Sequence, residues 1–90
     1  MQEGYGIAAF RSRQQVLMFE QALRREGMNV KIVTTPRDVA LGCGLSVKFD
    51  MKDAPRVLAA ANRTRPGGMV GVYHAAPSQG RTKVTALRLG

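Results

Sequence analysis

Ninety residues with 44% apolar and 22% charged content and no tryptophan describe one small folded domain, whose core must come from Leu, Val, Ile, Met and three Phe. Fourteen Lys and Arg against six Asp and Glu leave a formal charge of +8, which favours anionic partners and says nothing about the fold. A lone cysteine excludes an internal disulfide. With no basic-then-apolar leader after Met1 and no apolar run near the roughly 20 residues of a membrane span, the expectation is a cytoplasmic protein with no membrane partner.

Tyr5 to Phe10 is a short run that suits a buried first strand. Ser12 followed by Gln15 has capping-box spacing, so a helix is predicted from Arg13. Val16, Phe19, Ala22, Leu23 and Glu26 recur every three or four residues and give that helix one inward face. Gly27 is placed to take the left-handed conformation beyond its end, with Met28 touching Leu23 in a Schellman stop.

Val30 to Thr34, rich in β-branched residues, reads as a second strand. Leu45 to Phe49 reads as a third, with Leu45, Val47 and Phe49 inward and Ser46 and Lys48 on a wet face. Asp53 is expected to cap a second helix carrying Pro55 in its first turn and running to Arg63 or Arg65, where Pro66, Gly67 and Gly68 end it. Met69 to His74 forms the fourth strand, closed by Ala75, Ala76 and Pro77, with Ser78, Gln79 and Gly80 as a linker.

This order, strand-helix-strand-strand-helix-strand with short connections, predicts an α+β ferredoxin-like βαββαβ sandwich: two helices on one face of a four-stranded antiparallel sheet. The domain is expected to occupy residues 1–77. Residues 78–90 form a basic tail, either disordered or adding an edge strand through Val84, Ala86, Leu87 and Leu89.

The chemistry concentrates between the second and third strands. Thr35 can cap Pro36 at the first position of a helical turn, with Asp38 three residues on. Gly42 then stops the turn and Cys43 follows, flanked by Gly42 and Gly44, which remove side-chain cover from the sulfur. A free thiol ionises with a pKa of about 8.5, so a nearby cation or an array of amides is needed for thiolate at neutrality, and Arg37 is the candidate. The end of a helical turn opposes this through its dipole, by about 0.3–1 kcal/mol.

Thr35-Pro36-Arg37 followed by Cys43-Gly44-Leu45 resembles the signature of a family of small selenium or sulfur carrier-like proteins, in which a Pro-Arg pair precedes a Cys-Gly pair. The resemblance runs from about Tyr5 to His74. It departs at Ala40 and Gly42, where relatives often carry Ser, and in the basic stretch after Pro77. It implies a ferredoxin-like fold and a carrier thiol at Cys43, holding a persulfide or selenosulfide, with Arg37 favouring the thiolate and Thr35, Pro36, Gly42 and Gly44 shaping the loop. A carrier rather than an enzyme is implied, with no organic cofactor. Its partners would be a donor such as a cysteine desulfurase and an unidentified acceptor.

Plainer accounts stand beside these. A lone cysteine often serves as a small buried hydrophobe, and Thr35 and Pro36 are explained by capping and φ restriction alone. His74 has no second ligand-type neighbour, no Cys-x-x-Cys pair is present, and the five Met form no stripe, so no metal site is expected. Two other classes of function compete. The chain could be an interaction or regulatory module, a homodimer among its forms, that pairs through a sheet edge. Its charge also allows nucleic-acid binding, but Phe10 and Phe49 lack the sequence context of RNA-recognition strands, and Phe49 alternates with inward residues.

Overall fold

The computed structural model describes residues 4–36, 44–64 and 68–87. Strand β1, Tyr5–Phe10, leads through Arg11 and Ser12 into helix α1, Arg13–Arg25. Strands β2, Lys31–Thr34, and β3, Leu45–Phe49, follow as an antiparallel pair. A single 3₁₀ turn, Met51–Asp53, introduces helix α2, Ala54–Thr64, and the chain closes with β4, Met69–Ser78, and β5, Arg81–Leu87. The fold is α+β, two helices and a five-stranded antiparallel sheet in the order β2-β3-β1-β4-β5.

The ends of α1 form as local chemistry dictates. Ser12 sits in extended backbone with its hydroxyl accepting the Gln15 amide at 3.2 Å, so one orphan donor of the first turn is satisfied. At the other end the Gly27 amide donates to the Arg24 carbonyl and the Met28 amide to the Leu23 carbonyl, at 2.9 and 3.1 Å, which is the Schellman pair. Gly27 has φ +84°, and Met28 and Leu23 are both buried. Helix α2 starts directly after Asp53; the Asp53 carboxylate lies 4.0 Å from Arg56, and it is Asp50 that caps the 3₁₀ turn before the helix, accepting the Lys52 amide.

One face of the sheet takes both helices. Ala8 and Phe10 of β1, Val47 and Phe49 of β3 and Val72 of β4 pack with Val16, Phe19 and Leu23 of α1 and with Val57, Ala60 and Ala61 of α2. Phe10 and Phe19 meet with ring centres 5.2 Å apart and tilted planes, a favourable aromatic arrangement. Gly6 is the register partner of Phe49, whose ring fills the space a Cβ would need at Gly6. Two arginines of α2 then fasten the far end of α1: Arg56 donates to the Glu26 carbonyl at 2.6 Å and Arg63 to its carboxylate at 2.7 Å.

Among the described residues the opposite face carries no helix, but it is not uniformly wet. Ile7 lies between its register partners Lys48 and Tyr73 and is fully buried. Tyr73 folds its ring over Gly71, the register partner of Ala9, and Ala9 is buried too. Ser46, expected on a wet face, is completely buried.

The carboxyl-terminal part departs most from expectation. The sheet has five strands, not four. The fourth strand does not close at Ala75–Pro77 but runs on to Ser78, and Ser78 pairs with Arg81 across a two-residue turn. Gln79 and Gly80 both have positive φ, 51° and 76°, the type I′ geometry whose twist matches a hairpin, so these residues are a turn and not a linker.

Candidate functional site

The β2–β3 hairpin carries the loop singled out by the sequence. Its residues 37–43 lie outside the described segments, and with them Arg37, Gly42 and Cys43 and the expected helical turn. The positions on which that loop is mounted are described. Thr34 and Leu45 are the last register partners of the ladder, and one step further the Thr35 amide donates to the Gly44 carbonyl at 2.8 Å. Cys43 is therefore bonded directly to a residue that is pinned to the opposite strand.

A second bond fastens the same base. The hydroxyls of Thr35 and Ser46 are 2.6 Å apart, one donating to the other. Ser46 is buried without exposure, so this bond satisfies a hydroxyl that would otherwise be lost from water at a cost of about 1–3 kcal/mol. The turn that Thr35 is expected to cap lies outside the described residues; what is described is a cross-strand role, its hydroxyl engaged with Ser46. Alternation along β3 marks Ser46 as a solvent-facing residue; its register partner is Val33, and it meets Thr35 on the diagonal, a relation visible only once β2 is aligned on β3.

Gly44 supplies the geometry of re-entry. Its φ is +88°, in the region that L side chains avoid, while an added Cβ would meet nothing within 4 Å. Conformation, not crowding, requires glycine here. Pro36 is half-buried at the exit of β2, where its fixed φ stiffens the departing chain. Of the six residues expected to form the site, Thr35 and Gly44 are brought together at the loop base with Pro36 beside them; Arg37, Gly42 and Cys43 belong to the loop itself.

The sequence from Tyr5 to Gly68 matches the model of the putative Se/S carrier protein-like family. The chain belongs to that family. No curated protein and no solved structure matches it. The Se/S carrier-like segment takes in β1, α1, the whole β2–β3 hairpin with Cys43, and α2; β4 and β5 follow it.

Other chemistry is sparse. Among the described residues no three His, Cys, Asp or Glu side chains come together in a way that could hold a metal ion. Among them, too, no helix is long and apolar enough to cross a membrane. Phe10 and Phe49, the aromatics on which base stacking would have drawn, are both buried in the helix-side core.

Proposed function

We propose that this Se/S carrier-like protein carries one sulfur or selenium atom on Cys43, as a persulfide or selenosulfide, between a donor protein and an acceptor. Membership of the family over a segment that contains Cys43 carries this reading. The pinned base of the loop supports it, because a carrier thiol must be offered at a reproducible position to two different partners. The same reading takes the strands ordered β2-β3-β1-β4, with both helices on one face, as a ferredoxin-like core to which β5 is added.

The transfer is a thiol exchange. The Cys43 thiolate attacks the terminal sulfur of the donor's persulfide; a new S–S bond forms at Cys43 as the donor's S–S bond breaks, and the donor leaves as a thiolate with that electron pair. The sulfane sulfur keeps its proton and its oxidation level, so no external oxidant or reductant enters. Delivery to an acceptor thiolate is the same exchange, with Cys43 as the leaving group. Arg37, six residues before Cys43, favours the thiolate in both roles by charge. The donor fits a cysteine desulfurase, whose product is a protein persulfide, and a net charge of +8 speeds docking to an acidic donor surface.

The test is mass spectrometry of the intact protein after incubation with a desulfurase and cysteine. A gain of one sulfur that dithiothreitol removes and Cys43→Ser prevents is the expected outcome. Absence of the adduct with several donors, together with slow alkylation of Cys43 at neutral pH, would replace the carrier by an interaction module.

A further inference from the structure

The helix-free face holds a second, unassigned feature at the opposite end of the β2–β3 hairpin from Gly44. Lys31 on β2 and Lys48 on β3 are direct register partners on that face, which brings their Cβ atoms to about 5 Å. Like charges placed directly opposite destabilise a sheet. Three of the four described carboxylates are taken elsewhere: Glu20 by Arg24, Glu26 by Arg63 and Asp53 by Arg56. Neither lysine forms an ion pair among the described residues.

Both lysines line a cleft of about 530 Å³ whose walls include Gly4, Tyr5, Asn29 and Asp50. That volume lies within the range of roughly 300–1,000 Å³ usual for small-molecule sites. Lys48 is positioned rather than loose, its ammonium 4.6 Å from the centre of the Tyr5 ring. The exposed amide side chain of Asn29 adds a donor at the same rim. Asp50 is the opposing charge, and its carboxylate already accepts the Lys52 amide at 3.1 Å.

We propose that this cleft binds a small oxyanion, a phosphate or a carboxylate, at Lys31 and Lys48. The anion offsets the like charge that the register brings together on β2 and β3. The site is separate from the Cys43 reading and stands or falls without it.

Titration of the isotope-labelled full chain with pyrophosphate, and in a second arm with citrate, each at constant ionic strength set with sodium chloride, tests this. Saturable shifts of the Tyr5, Asn29, Lys31 and Lys48 amides are expected with at least one of the two, and the arm that saturates names the oxyanion. Lys31→Gln and Lys48→Gln should each weaken the affinity at least tenfold, and Asp50→Asn should tighten it. Lys31→Gln should also melt at a higher temperature than the parent without anion, and gain nothing when anion is added. Saturation in neither arm would overturn the proposal, as would shifts spread equally over Arg11, Arg25 and Lys83. A lower melting temperature for Lys31→Gln would also overturn it, since Lys31 would then serve the fold and not a ligand.

Discussion

Ser46 and Thr35 show how one hydroxyl pair can set the base of a reactive loop. Replacing Thr35 by Val keeps the shape but leaves the buried Ser46 hydroxyl without its partner, and the expected loss is about 1–3 kcal/mol in urea unfolding. Ser46→Ala alone should cost less, because Thr35 is only half-buried and water can replace the lost partner. In the double variant most of the Thr35→Val penalty should disappear, since neither hydroxyl then remains to be satisfied. Additive losses would mean the two side chains stabilise the hairpin independently. The alternation of β3 reveals none of this, although it correctly faces Leu45, Val47 and Phe49 towards the core. Burial on the other face depends on what distant strands place beside Ser46, here Ala9 and Val33.

At the level of elements, what the sequence reveals is local. Capping and stop signals of α1 involve residues at most five apart, so Ser12, Gly27 and Met28 are legible in the chain by themselves. Gly27→Ala forces a Cβ into a left-handed turn with open space around it, so only backbone strain is at issue; a loss of about 1–2 kcal/mol is expected, seen as a lower urea midpoint with unchanged slope. The end of β4 is harder, because Pro77 looks like a breaker. Among the described residues the last pair of β4 with β1 is Tyr5 with Ala75, so Pro77 lies beyond the described β1 pairing, towards the end of the strand, where a sheet tolerates a missing amide. The β4–β5 turn is concealed because Gln79-Gly80 lacks the Asn-Gly or Asp-Gly signature of a type I′ hairpin. Helix α2 does start at Ala54, directly after Asp53, but the 3₁₀ turn before it, capped by Asp50, has no mark in the sequence that ranks Asp50 above Asp53. For the candidate site, the motif marks the hairpin and the glycine of re-entry, while the Ser46 partner and the lysine pair emerge only once β2 is aligned on β3.

For the whole molecule, the core is shared by both helices and by strands from the two halves of the chain, so the protein should unfold in a single step. Strand β5 is the exception in kind. Among the described residues it pairs with β4 alone, and Leu87 is the β5 residue that packs against the core there. A chain ending at Ser78 should therefore keep its circular-dichroism spectrum but melt several degrees lower, and its newly bared β4 edge should drive association with rising concentration in size-exclusion chromatography. Complete loss of structure in that variant would show β5 to be integral to the fold.

The position of β1 bears on how the chain is made. It is the middle strand of five, hydrogen-bonded to β3 on one side and to β4 on the other, yet it precedes both in the sequence. On the ribosome it emerges well before either neighbour, and its second flank stays uncovered until the segment 69–78 has left the exit tunnel. Such long-range pairing slows folding and exposes a sticky ribbon meanwhile. Synthesis stalled near Gly68, where the family-matched segment ends, would leave a nascent chain without Val72 and Ala75, a natural client for a holding chaperone.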